Sequence, residues 1–153
     1  MIVYRLSKEA YSNDLSGRGA EISGGRWNNK GIPALYTAGS RALAVLEVAV
    51  HVPVGIIPIN YCITLIEVSG NLKITPLNIA DLPQNWNRNP IIKATQYIGD
   101  DFLKSRAGLI LQVPSATVTG DFNYLINPLH PDAELLKIIA IEPFEFDQRL
   151  FKK

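Results

Sequence analysis

Cysteine occurs once and histidine twice in this chain of 153 residues, and neither number supports the structures those residues usually build. The lone thiol, Cys62, has no internal disulfide partner, and its place in the apolar run NYCITLIEV marks it as a small core residue. With His51 and His130 far apart in the chain, zinc-ligand spacing is missing and no metal is expected. Charge is scarce and balanced, Lys+Arg 15 against Asp+Glu 14 for a net +1, with no cluster of basic residues. A duplex-binding surface displaces counterions with clustered Lys and Arg, so direct nucleic-acid binding is not expected. No apolar stretch approaches the roughly 18 residues of a membrane span, and MIVYRLSKEA meets charge at Arg5 and Lys8 too early for a signal peptide. The expectations are no membrane contact and a cytoplasmic location.

What the chain does have is apolar content. Hydrophobic residues make up 47% and charged ones 19%, which places it among folding sequences of a size that buries one core, a single domain over 1–153. Ile2 to Leu6 reads as a strand, followed by a polar loop from Ser12 to Gly25 whose length favours a functional one. Ala34 to Thr37 reads as a buried strand. Ser40 then caps a helix running to about Val52, and Pro53 stops it. Ile57 to Val68 is β-prone and ends at Gly70-Asn71; DLPQNWNRNP from Asp81 is loop-like; Ile92 to Lys104 has helical spacing. Leu109 to Val113 is a short strand, Asn123 to Pro131 reads as irregular around its prolines, and Leu136 to Phe146 is a last strand with Pro143 at a bulge or edge. Strands with two interspersed helices and no βαβ repetition predict an α+β domain.

One carboxylate is out of place. Ala42 to Val52 is apolar except for Glu47 and His51, so the helix reads as buried on every face, and an ionised carboxylate there is costly unless paired. Glu47 either occupies an exposed stripe, or pairs with His51 one turn on, or faces a pocket where positive charge develops. Arg26 in SGGRWN offers a planar fork for phosphate or carboxylate, or a loop salt bridge, with glycines that permit close approach or positive φ. Tyr36 is by default a core aromatic with a tied hydroxyl, and Ser115 after Pro114 a turn residue or cap.

Taken together, GRGAEISGGRWNNKGIPALYTAGSRALAVLEV, then LILQVPSA, FNYLINPLHPD and FDQRL, with YRL at Tyr4 to Leu6, resemble the RES domain family across essentially the whole chain. The specific parts are GGRWN, the YT-x2-S-x-ALA-x-LE arrangement from Tyr36 to Glu47, and NP-x-HP. The Arg, Glu and Ser that name the family match Arg26, Glu47 and Ser115. The resemblance implies a fold similar to ADP-ribosyltransferase toxins, a split mixed β core with flanking helices that clasps NAD in a cleft. It also implies a toxin of a bacterial toxin–antitoxin pair that consumes NAD as substrate and needs no cofactor. Members of the family act as NAD glycohydrolases, NAD phosphorylases or protein ADP-ribosyltransferases. The implied protein partners are a helix-turn-helix antitoxin that blocks the active site and a second toxin copy within the complex.

On that resemblance Glu47 stabilises the ribosyl cation and Arg26 holds the pyrophosphate. Tyr36 faces the nicotinamide ring and Arg5 makes a second phosphate or ribose contact. Ser115 bonds the nicotinamide amide or the ribose. Asn123 and Asn127 shape the cleft, His51 orients Glu47 or packs, and His130 is structural. The rival expectations are a nucleotide- or antitoxin-binding module without turnover, and a ribonuclease, the latter disfavoured by neutral charge and the lack of a histidine pair.

Overall fold

Alternating and β-branched runs form most of the sheet, and their neighbours decide its shape. The computed structural model describes residues 1–70 and 73–151; Asn71, expected to help end the third strand, lies outside them. The strands are β1 (Ile2–Lys8), β2 (Leu35–Ala38), β3 (Tyr61–Val68), β4 (Ile74–Pro76), β5 (Ile110–Pro114), β6 (Phe122–Ile126) and β7 (Leu136–Phe144). The helices are α1 (Arg18–Ser23), α2 (Arg41–Ala49) and α3 (Lys93–Ser105). The strands form one seven-stranded sheet in the order β4-β5-β6-β2-β1-β3-β7. Only β4 and β5 run parallel; the other pairings are antiparallel, so the sheet is mixed and the fold is α+β, as expected.

The sheet is split. β1 and β2 are paired only where Tyr4 lies opposite Ala38, whereas β1 and β3 pair along seven residues from Ile2↔Glu67 to Lys8↔Tyr61. Each half has its own apolar layer: Leu43 and Ala44 of α2 pack with Leu6, Ile63 and Phe146, and Leu103 of α3 packs with Trp27, Leu111, Val113 and Leu125. A third cluster, Val3, Leu35, Ile66, Ile110 and Ile126, spans both halves. Cys62 is a free, buried thiol.

Several elements depart from the sequence reading. The Ser12–Gly25 loop contains α1, a six-residue helix whose start at Gly17 and Gly19 carries no capping signal. The strand expected from Ile57 begins at Tyr61, since Pro58 and the positive-φ Asn60 (φ 60) interrupt it. Of the stretch expected to be irregular from Asn123 to Pro131, residues 123–126 belong to β6, bonded to β2 on one side and β5 on the other, while 127–130 form no strand. Helix α2 is not buried all round: Leu46 is 36% exposed, Ala42 is exposed too, and only Leu43 and Ala44 are buried. It does begin at Ser40, whose Oγ accepts from the Leu43 amide at 3.1 Å, and ends at Ala49, a turn before Pro53. β7 is an edge strand, one of the two readings of Pro143, and its bulge lies at Ile139, the residue skipped between Leu65↔Ala140 and Ile66↔Ile138, not at Pro143. No helix among the described residues is long and apolar enough to cross a membrane.

Candidate active site

Where β1 and β2 diverge, a cleft of about 780 Å³ opens, lined by Arg5, Arg26, Tyr36, Glu47 and Asn123 among others. That size lies within the roughly 300–1,000 Å³ of small-molecule sites. α2 presents Glu47 to the cleft from one half, and its carboxylate is held by three side-chain donors from the other. Oε1 accepts from Ser115 Oγ at 2.7 Å and Asn123 Nδ2 at 2.6 Å, and Oε2 accepts from Thr117 Oγ1 at 3.1 Å. The carboxylate is thus fixed in direction while remaining half-buried at the cleft wall. It does not pair with His51, which lines the same cleft from the turn after α2.

Ser115 takes the turn role that its place after Pro114 suggested, and not the position of a substrate contact. Its hydroxyl donates to Glu47 and accepts from the Thr117 and Val118 amides at 3.1 and 3.0 Å, and the residue is 5% exposed. With its proton and lone pairs so engaged, it stands behind Glu47 and does not line the cleft. Thr117, which sequence reasoning passed over, does line it. Only its place two residues after Ser115 in PSAT hinted at a role. Asn123 also lines the cleft, and its Oδ1 is buried with no hydrogen-bond partner.

Arg26 sits on the GGRWN turn, closed by the Gly25 amide donating to Asn28 O at 3.0 Å. Gly24 has φ 70, and a Cβ at Gly25 would lie 2.6 Å from the Tyr36 hydroxyl, so both glycines are required there. That hydroxyl accepts from the Trp27 amide at 2.9 Å and donates to Asn28 Oδ1 at 2.8 Å. Burial pushes the Tyr36 pKa well up, which keeps the proton that this bridge requires. Tyr36 is therefore tied at its hydroxyl, as a core aromatic would be, and still contributes to the cleft wall.

The Arg26 guanidinium donates through Nη1 to the Trp86 and Arg88 carbonyls at 2.7 and 3.0 Å. Burial lowers its pKa, and the charge of Glu47 opposes that shift. Arg5 is similar: burial lowers its pKa, Asp14 opposes, and Nη1 donates to the Tyr11 and Asp14 carbonyls at 2.9 and 3.1 Å. Neither guanidinium has a carboxylate within ion-pair distance among the described residues. Two partly buried cations facing one cleft with no carboxylate in ion-pair contact are chemically suited to an anion.

Helix α3 braces the Arg26 turn. Gln96 Nε2 donates to the Gly25 and Asn28 carbonyls at 3.0 and 3.2 Å. The buried Asp100 accepts from the Asn29 amide and side chain at 2.9 and 2.7 Å. Asn127 and His130 lie outside the site. Asn127 donates to Leu103 O at 2.8 Å and accepts from the Leu129 amide, tying α3 to the end of β6 rather than shaping the cleft. His130 Nδ1 accepts from the Asp132 amide at 3.1 Å as a helix cap, the structural role expected of it.

The RES domain family model matches residues 2–147. The chain belongs to the RES domain family. "Prs ADP-ribosylating toxin" of Sphingobium sp. (strain YBL2) is 38% identical over 156 residues, which cover 98% of this chain and 96% of that one. "Toxin Res" of Photorhabdus laumondii is 37% identical over 154 residues, covering 99% and 98%. "Toxin Res" of Pseudomonas putida is 36% identical over 151 residues, covering 99% and 100%. Among solved structures, the crystal structure of the M. tuberculosis MbcT-MbcA toxin–antitoxin complex contains a similar chain. It has a TM-score of 0.73 at 20% identity and covers 98% of this chain and 86% of that one, which establishes the shared fold. This chain is thus a RES-type toxin with an ADP-ribosylating relative.

Proposed function

We propose that this RES-domain toxin depletes NAD by cleaving the bond between nicotinamide and ribose, with water or phosphate as acceptor. The observation that carries the proposal is the Glu47 carboxylate, held by Ser115, Thr117 and Asn123 in a cleft that also receives two guanidiniums lacking a counter-ion. NAD supplies the complement, a pyrophosphate for Arg26 and Arg5 and a glycosidic carbon that becomes cationic for Glu47.

The step follows from those positions. The glycosidic C–N bond breaks, its electron pair passes to the ring nitrogen, and nicotinamide leaves neutral. Glu47 accepts a hydrogen bond from the ribose 2′-hydroxyl and stabilises the cation by its charge, an interaction strongest in the transition state. The acceptor oxygen adds to the ribose carbon and gives up its proton to solvent. Tyr36 offers its face to the nicotinamide ring, a cation before cleavage, worth roughly 1–2 kcal/mol when desolvated. Ser115 acts through Glu47, and Asn123 acts both on Glu47 and as part of the wall.

A second reading, transfer of ADP-ribose onto a protein, is favoured by the name of the Sphingobium relative. It shares the bond-breaking step and differs in the nucleophile. A helix-turn-helix antitoxin that covers the cleft is the proposed partner; the fold shared with a chain of a toxin–antitoxin complex supports it.

The test is to incubate purified protein with NAD, with and without phosphate, and follow NAD, nicotinamide and the ribosyl product by chromatography. Wild type should release nicotinamide, and Glu47→Ala should slow release on the order of 10³-fold with the fold intact. Intact NAD with wild type, alongside label transfer from NAD to a protein, would move the assignment to the second reading. Glu47→Ala with unchanged toxicity would leave only a binding module.

A further inference from the structure

The cleft continues past Arg26. Against the guanidinium the wall includes the segment before α3, where Asn87, Asn89 and Ile91 line the same cavity as Glu47. Arg26 itself joins the two regions: it feels the charge of Glu47, and its Nη1 is bonded to the carbonyls of Trp86 and Arg88, which alternate along the chain with Asn87 and Asn89. The wall is further fixed by Trp86, whose ring lies 6.1 Å from that of Trp27. Asn87 and Asn89 are exposed, and neither side-chain amide has a hydrogen-bond partner among the described residues. They therefore present free donors and acceptors on a wall positioned by the residue proposed to hold pyrophosphate.

We infer that Asn87 and Asn89, with Ile91, form the subsite for the adenylate half of the substrate. The inference rests on the proposed NAD-cleaving reading and extends it. A dinucleotide has a fixed order of parts: ribosyl carbon, pyrophosphate, adenosine. The cleft supplies a matching set: Glu47, Arg26 within its field, and the 87–91 wall whose backbone Arg26 bonds. With the reacting carbon at Glu47 and the pyrophosphate at Arg26, the adenosine has to lie beyond Arg26. A carboxamide pairs well there, because adenine presents an amino donor beside a ring-nitrogen acceptor and an Asn side chain can meet both. Ile91 supplies apolar surface for the base. The segment is read as the determinant of dinucleotide over mononucleotide, and it takes no part in bond breaking.

The experiment compares wild type with Asn87→Ala, Asn89→Ala and the double variant in two assays. One is calorimetric titration with ADP, which carries the adenylate and pyrophosphate without the reacting bond. The other is kcat/KM for NAD against nicotinamide mononucleotide, which lacks the adenylate. The double variant should bind ADP roughly 10-fold more weakly, and its preference for NAD over the mononucleotide should fall by a similar factor, chiefly through KM. Equal losses on both nucleotides would mean the variants act by disturbing Arg26 and would overturn the subsite. So would unchanged ADP affinity, or no ADP binding by wild type. The parent reading fails separately: NAD consumption that survives Glu47→Ala sinks the catalytic assignment, while the ADP titration still decides the subsite.

Discussion

Glu47 is the residue on which the proposed chemistry turns, and its neighbours explain how an apolar helix tolerates it. Three donors satisfy the carboxylate, so the cost of moving it from water is met by hydrogen bonds that also fix its direction. Of the three, Thr117 is the one whose removal isolates direction from fold. Thr117→Val should lower kcat for NAD cleavage roughly 10-fold with little change in KM, and Thr117→Ser should restore it. Steady-state kinetics on the two variants decides this, since a merely structural role would not be rescued by the hydroxyl alone. Ser115→Ala is more damaging, because it removes a donor to Glu47 and also the acceptor for the Thr117 and Val118 amides. Its unfolding free energy in urea should drop by roughly 1–3 kcal/mol in addition to the lost activity. That Glu47, Arg26, Arg5, Tyr36 and Asn123 share one cleft was legible in the sequence because their chemistry and motif agree. Thr117 was not, since its place two residues after a turn serine is only a faint local signal, and the hydroxyl of Ser115 could be aimed only once β5 and α2 were placed together.

Helix α3 holds the Arg26 turn by contact as much as by hydrogen bonds. A Cβ at Gly99 would fall 1.8 Å from the Trp27 carbonyl oxygen, so the helix can sit this close only with glycine there. Gly99→Ala should cost roughly 1–3 kcal/mol of stability as helix and turn are pushed apart, read as a lower urea midpoint. Gln96→Ala is the gentler probe: it releases the Gly25 and Asn28 carbonyls and should raise KM for NAD several-fold through Arg26, with kcat less affected. A fall in kcat with KM constant would place Gln96 outside this bracing role. α2, α3 and most strands were legible because periodicity and the Ser40 cap are local signals, whereas α1 was read as loop. β6 was not: FNYLI is flanked by prolines and polar residues, and its strand state is imposed by β2 and β5 on either side. α2 was read as fully buried because sequence counts apolar residues and cannot see that the neighbouring layer covers only Leu43, Ala44 and their side of the helix.

At the scale of the molecule, the cleft belongs to both halves of a sheet that are paired at one point between β1 and β2. Arg5 and Glu47 come from the half built on β1 and α2, while Arg26, Tyr36 and Asn123 come from the half built on β2, β6 and the turn braced by α3. A ligand that satisfies both guanidiniums bridges the halves and stabilises the folded chain by mass action, whatever its turnover. ADP-ribose has the pyrophosphate but no nicotinamide bond to break. At a hundred times its dissociation constant it should add about 2.7 kcal/mol, raising the thermal midpoint by roughly 5–10 °C. Glu47→Gln should keep most of that shift while losing turnover, because the pyrophosphate contacts remain. Arg26→Ala should lose most of it, because the remaining guanidinium, Arg5, reaches the anion from one half alone. Differential scanning fluorimetry on the three proteins separates the roles: an equal shift in all of them would place the anion elsewhere, and no shift in wild type at millimolar ADP-ribose would remove the pyrophosphate from this cleft.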